Sequence, residues 1–115
     1  MHECKDNEYV QEQLYSWLEM HKKSALTQLV LQSLESKARW SGEIAEWLAA
    51  LTEWDISEKS LYRTLRRMVK NELITFTLTE AERTGASRKT YELTSDGKLL
   101  LSGMKQELSY LRNLM

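Results

Sequence analysis

Between Ser57 and Lys70 the chain sorts its residues with a helical period. At about 100° per residue, Leu61, Leu65 and Met68 fall on one side and Lys59, Arg63, Arg66 and Lys70 on the other. Tyr62 and Arg67 lie on the flanks. A helix of this kind needs a core for its apolar face and presents a cationic ridge with a phenol at its edge. Such a ridge can lie against DNA when the helix is anchored in a domain. For the helix taken alone, the solvated basic face of an ordinary amphipathic helix is the commoner explanation. Its surroundings have to decide.

Directly after this helix the period changes. Leu73 to Thr79 is rich in β-branched residues and alternates, with Ile74, Phe76 and Leu78 on one side. Glu80 to Ser87 is polar and turn-like. Arg88 to Thr94 alternates again, with Lys89, Tyr91 and Leu93 on one face and Arg88, Thr90 and Glu92 on the other. Two strands joined by a polar loop that contains Gly85 predict a β-hairpin. Arg83, Arg88 and Lys89 put cations at its tip and second strand, within reach of phosphates or the adjacent minor groove.

Before the basic helix, Ser41 caps a predicted helix from Gly42 to about Leu51, with Ile44, Ala45, Leu48 and Leu51 inward. Ser57 is the N-cap of the basic helix itself, which ends near Asn71, a residue tolerant of the left-handed conformation. A short helix, a brief connection and a basic helix form a helix-turn-helix, and a hairpin directly after it is a wing. Trp40, Trp47 and Trp54 recur every seven residues, a spacing that favours core or rim packing over a ligand box. Ser36 to Gly42 reads as a loop.

The chain opens with a predicted helix from about Asp6 to His21, capped by Asp6 or Asn7. Its stripe of Val10, Leu14, Trp17, Leu18 and His21 packs either on its own domain or across a dimer. Lys22-Lys23-Ser24 is a polar joint before a second helix, roughly Ala25 to Glu35, with Leu26, Leu29, Val30 and Leu34 buried. With no Gly or Pro at the joint, one continuous helix is the alternative. At the other end, Thr94 or Ser95 caps a last helix. Leu101, Met104, Leu108, Leu111 and Met115 follow at spacings of three, four, three and four, an a/d seam. Leu100, Tyr110 and Leu114 widen it. Pairing with another chain is the favoured use of this seam, because the winged unit before it is already complete.

The net charge of −1 hides an uneven distribution. Residues 1–56 carry five Lys/Arg against ten Asp/Glu, residues 57–98 nine against six, and residues 99–115 two against one. The positive charge is therefore local to the helix and hairpin. The single cysteine, Cys4, excludes an internal disulfide and a Cys-rich zinc site, and suits a reducing cytoplasm. No apolar run approaches the ~20 residues of a membrane span, and the polar, acidic start is unlike a signal peptide. His2 and His21 stand apart from any acid or nucleophile cluster, and no phosphate loop, metal-ligand spacing or nucleophile motif is present. Neither an enzyme nor a bound cofactor or metal is expected.

The order of helix, helix-turn-helix, wing and terminal helix resembles the PadR family of transcriptional regulators. The likeness is carried by Ser60-Leu61-Tyr62-Arg63-Thr64-Leu65-Arg66-Arg67-Met68, by Leu73-Ile74, and by Gly85-Ala86-Ser87-Arg88-Lys89-Thr90-Tyr91-Glu92-Leu93-Thr94 with Gly97 after it. These match, in order, a family pattern of roughly T-L-Y-x-x-L-x-R-L, G-L-[IV] and G-x-x-R-[KR]-x-Y-x-L-T-x-x-G. Arg63 stands where the family often has proline, and Glu72 where a glycine usually precedes the first wing strand. Ser41-Gly42 replaces a common Gly-Tyr pair. The short terminal helix resembles the smaller subfamily, which dimerises through it together with the N-terminal helix. Some of those members bind planar drugs between tryptophans of the terminal helices. Here the terminal helix has none, Trp17 is the one weak candidate, and a small-molecule effector has no support in the sequence.

The expected fold is mostly α with a small β-hairpin: a winged helix-turn-helix with N- and C-terminal dimerisation helices. It divides into an N-terminal helix (1–24), a winged helix-turn-helix domain (25–94) and a C-terminal dimerisation helix (95–115). The expected function is a sequence-specific DNA-binding regulator, a repressor acting as a homodimer on double-stranded DNA. The alternative is a winged-helix protein-interaction module without DNA binding. Candidate DNA contacts are Lys59, Ser60, Tyr62, Arg63, Arg66, Arg67, Lys70, Arg88 and Lys89. Candidate dimer contacts are Val10, Leu14, Trp17, Leu101, Met104, Leu108, Leu111 and Met115.

Overall fold

The structure, a computed structural model, describes residues 7–80 and 85–115. Cys4, His2, the Asp6 capping candidate and Arg83 at the expected wing tip lie outside the described residues. The elements run α1 (Glu8–Ser33), β1 (Arg39–Trp40), α2 (Ser41–Thr52), α3 (Glu58–Lys70), β2 (Ile74–Glu80), β3 (Ser87–Leu93) and α4 (Ser95–Leu114). The strands form one antiparallel sheet in the order β1-β3-β2. β2 and β3 are the expected hairpin, with Phe76 opposite Tyr91 and Leu78 opposite Lys89. β1, in the stretch expected to be a loop, adds Trp40 opposite Thr90. Two residues are too few to display an alternation, so pattern alone misses this strand.

The first two expected helices are one. α1 runs unbroken for 26 residues, capped by Asn7, whose side chain accepts the Val10 N–H at 3.1 Å. Lys22, Lys23 and Ser24 do not interrupt it, because none of them breaks a helix backbone. The two halves nevertheless face different ways. Leu26, Val30, Leu31 and Leu34 are buried. Val10, Leu14, Trp17 and Leu18 lie roughly half a turn round the same cylinder. The N-terminal stripe therefore points away from the core: Trp17 is 55% and Leu18 39% exposed, with Tyr15 and Met20 exposed beside them.

The core joins those α1 residues to Ile44 and Leu48 of α2, Leu61, Leu65 and Met68 of α3, Ile74 and Tyr91 of the hairpin, and Leu101 of α4. Ala45 and Leu51, expected inward, are exposed. The buried side of α2 is centred on Ile44 and Leu48 with Trp47 half-buried, so Ala45 falls off it. Leu51 belongs to the last turn, before the helix ends at left-handed Glu53. Trp40, Trp47 and Trp54 are all half-buried, as rim packing requires. Leu101 corrects a dimer assignment: at 2% exposure it belongs to the protomer's own core. Met104 packs against the same core, whereas Leu108, Leu111 and Met115 on the same seam are exposed.

The end of α3 corrects a second expectation. Asn71 is the C-cap but has φ −87°; the left-handed residue is Glu72, at φ 61°. The Glu72 N–H donates to the Val69 carbonyl at 3.0 Å and the Leu73 N–H to the Met68 carbonyl at 2.9 Å. This is a Schellman ending, whose left-handed position favours glycine. The strand that follows is tied at once to α4. Thr94 donates its N–H to the Leu73 carbonyl and its hydroxyl to the Glu72 carbonyl at 2.7 Å, and its Oγ1 caps α4 by accepting the Gly97 N–H at 3.0 Å. A Cβ on Gly97 would overlap the Leu73 carbonyl oxygen, so glycine is required there for helix and strand to meet.

Two stability outcomes follow from this junction. Glu72→Gly relieves a left-handed side chain while keeping every backbone bond. It should raise the unfolding free energy by about 0.5–1 kcal/mol, the conformational gain being partly offset by a more flexible unfolded chain. Gly97→Ala drives a methyl into backbone and should lower it by about 1–3 kcal/mol. Urea denaturation of both variants beside the parent reads the two signs.

Candidate nucleic-acid interface

α3 is started and oriented by ordinary means. The Ser57 side chain accepts the Ser60 N–H at 3.1 Å, Glu58 sits at the positive end of the helix dipole, and Arg67 and Lys70 at the negative end. Leu61, Thr64, Leu65 and Met68 are buried, the Thr64 hydroxyl donating to the Ser60 carbonyl at 3.0 Å. This seats one face and leaves Lys59, Ser60, Tyr62, Arg63, Arg66 and Lys70 exposed on the other. Arg67 behaves differently. Its Nη2 donates to Thr27 Oγ1 of α1 at 2.8 Å, so this cation leans towards its own domain.

The hairpin stands beside the open face of α3. Between them lies a cleft of about 450 Å³, lined by Trp40, Ser41, Tyr62, Arg66, Val69, Phe76, Ser87, Arg88, Lys89 and Tyr91. Among the described residues, three cations and no carboxylate line it. Arg66, Arg88 and Lys89 thus come together from two elements, whereas Lys59, Arg63 and Lys70 remain on the open ridge outside it. Arg88 and Lys89 each rest on an aromatic ring. The Arg88 guanidinium lies 4.3 Å from the Trp40 ring centroid, and Lys89 Nζ lies 4.5 Å from that of Phe76. Phe76 in turn meets Tyr91 edge-on at 5.9 Å.

Two phenols differ in state and use. Tyr62 is 47% exposed, and its hydroxyl shares a 3.1 Å hydrogen bond with the Ser41 hydroxyl at the start of α2. Ser41 is therefore not the cap expected for that helix. Trp40 occupies the N-cap position instead, and the Glu43 carboxylate accepts the Trp40 N–H at 3.2 Å. Tyr91 is buried; burial, with Tyr62 nearby adding and Arg66 opposing, pushes its phenol above the usual range and keeps it protonated. Trp40 and Ser41, read in the sequence as a packing tryptophan and a helix cap, also line the cleft. The signal available was Gly42: a Cβ there would overlap the Trp40 ring, so the indole lies over the first turn of α2.

The arrangement suits polyanion binding by position and charge. Among the described residues, no cluster of three or more His, Cys, Asp or Glu could hold a metal ion. Among the same residues, no helix is long and apolar enough to cross a membrane.

Comparison with known proteins agrees with this geometry. The profile of the Transcriptional regulator PadR-like family matches residues 30–102. A PadR family transcription regulator from Clostridium difficile R20291 is 31% identical and superposes with a TM-score of 0.72, over 78% of this chain and 93% of that one. A PadR-like transcriptional regulator from Bacillus cereus is 28% identical with a TM-score of 0.71, over 80% and 88%. A PadR-like transcription factor from Bacteroides fragilis shares the fold at 21% identity, with a TM-score of 0.75 over 86% and 94%. No curated protein matches in sequence. With its helix-turn-helix, its wing and nearly the whole length of these regulators accounted for, the chain belongs to the PadR-like family of transcriptional regulators.

Proposed function

We propose that the protein is a sequence-specific DNA-binding repressor that acts as a homodimer. The observation that carries DNA binding is the split of α3. Its apolar side is spent in the core, and its outer side offers Lys59, Ser60, Tyr62, Arg63, Arg66 and Lys70 to a partner. An α-helix so presented fits the major groove, where Arg side chains pair with guanine edges. Arg88 and Lys89 of the wing would grip the flanking backbone, with Arg66 facing them across the cleft. Arg67, drawn towards Thr27, has the weakest claim among the candidate contacts. The repressor role would follow from a protein that occupies a promoter and blocks access to it.

Two exposed apolar surfaces support the homodimer. The seam of α4 begins in the protomer's core at Leu101 and runs into solvent, where Leu108 is 44%, Leu111 42% and Met115 96% exposed. The outward stripe of α1, with Trp17 and Leu18 exposed and Val10 and Leu14 half-buried beside them, is the other. Pairing two copies would bury both and set two α3 helices in symmetric positions, so the operator should be roughly palindromic. The proposed division of labour is then an N-terminal arm (1–24) and a C-terminal helix (95–115) for assembly, with residues 25–94 for DNA.

Binding to promoter DNA across a salt series tests the first half. Arg63→Ala with Arg66→Ala should weaken binding and lower the salt slope by about one for each phosphate no longer engaged. Unchanged affinity and slope would leave the fold as a protein-interaction module. Sedimentation tests the second half. Leu108→Glu buries a charge at the seam and should convert a dimer to monomers, and a parent chain that is monomeric at micromolar concentration removes the homodimer.

A further inference from the structure

The wing carries its cations on strands that project from the domain, and a long side chain there would ordinarily sample many rotamers. Arg88 is restrained by a residue from a different part of the chain. Trp40 pairs with Thr90 across the β1–β3 ladder, and Arg88 lies two residues beyond Thr90 on the same face of β3. That diagonal is within reach of a long side chain. The guanidinium lies 4.3 Å from the indole centroid, inside the range of a cation–π contact. The indole is itself fixed from below. It lies over the first turn of α2 at Gly42, where a Cβ would overlap the ring, and its backbone N–H is held by Glu43. Trp40 also lines the cleft together with Arg66 and Lys89.

The geometry points to Trp40 as a positioning residue for the wing: its indole, locked on the α2 N-terminus by Gly42, holds the Arg88 guanidinium at the mouth of the α3–wing cleft in the attitude needed to meet a DNA phosphate. This rests on the DNA-binding reading above and adds a residue with no charge of its own to the binding machinery. The physical gain is conformational. An arginine has several rotatable bonds to fix, and a side chain already stacked on a ring has less freedom left to lose when the phosphate arrives. Trp40 also couples the wing to the helix-turn-helix, because the residue that holds Arg88 is the N-cap of α2.

The experiment compares the parent, Trp40→Leu, Trp40→Phe, Arg88→Ala and the Trp40→Leu/Arg88→Ala double variant. The probe is a duplex selected by the parent from a random DNA pool, titrated over a salt series. Trp40→Leu should weaken binding about two- to five-fold, the size of an exposed cation–π restraint. Trp40→Phe should recover most of that loss, and in the Arg88→Ala background Trp40→Leu should cost nothing further. Full additivity of the two substitutions, or Trp40→Leu binding like the parent, overturns the inference while leaving DNA binding intact. Failure of the parent to select any duplex removes the DNA reading, and the inference with it. A second measurement needs neither DNA nor a folded variant. In the parent's proton NMR spectrum the Arg88 side-chain methylenes should be shifted upfield by the indole ring current, and ordinary random-coil positions for them would overturn the stacking itself.

Discussion

Thr94 ties together the parts of this fold that have to keep fixed relative positions. Its hydroxyl donates to the Glu72 carbonyl and accepts the Gly97 N–H, and its own N–H goes to the Leu73 carbonyl. One residue therefore fastens the end of the basic helix, the entry to the first wing strand and the first turn of α4. Hydrogen bonds of this kind are individually worth about 1 kcal/mol net. Their importance here lies in their arrangement, because they meet where three elements change direction. A wing free to pivot at Leu73 could not hold Arg88 and Lys89 across a cleft from Arg66. Gly97 completes the joint by letting the α4 backbone come down on the Leu73 carbonyl.

The second constraint is the reversal of apolar faces along α1. A straight helix cannot bury both of its sides in one small domain. The C-terminal half uses Leu26, Val30, Leu31 and Leu34 to close the core, and the N-terminal half turns Trp17 and Leu18 outwards. α4 divides in the same sense along its length, with Leu101 inside and Leu108 to Met115 outside. Both helices therefore serve the domain at one end and present apolar surface at the other. Glu35, just past the C-terminal end of α1, and Lys105 of α4 pair at 2.9 Å. The contact is exposed and adds little stability.

Much of this was legible in the sequence, and the failures are as physical as the successes. α3, the hairpin and the seam of α4 were readable because each repeats a period over enough residues. Ser57 was readable as a cap, and Thr94 as one of two cap candidates beside Ser95, because capping is a local job set by the next three residues. β1 was not, since a two-residue strand exists only through its pairing with β3. The continuity of α1 was left open because helix propensity at Lys22-Lys23-Ser24 is neither strong nor prohibitive. Leu101 sits on a regular a/d seam, and periodicity does not say where along a helix the domain stops and free surface begins. The lean of Arg67 towards Thr27 is likewise invisible to a pattern that counts only charge and spacing. Glu72 is a sharper case. Family likeness marked the position for glycine, and the chain keeps the left-handed geometry there without it. The Schellman bonds and the Thr94 hydroxyl impose that conformation on a residue that would not choose it alone.

Net charge is a poor guide to this surface. The acidic excess lies in residues 1–56, while among the described residues the cleft gathers three cations and no carboxylate. At physiological ionic strength the screening length is about 8 Å. A phosphate in the cleft therefore responds mainly to Arg66, Arg88 and Lys89, and only weakly to carboxylates on the far side of the domain. The aromatic rings beneath Arg88 and Lys89 act in the same direction, because a guanidinium or ammonium lying on a π-face keeps its charge while giving up part of its freedom. A nearly neutral chain can therefore present a locally cationic and partly preorganised binding surface. On the proposed DNA-binding reading, the acidic remainder would limit non-specific attraction to polyanions and leave discrimination to the residues on the outer face of α3.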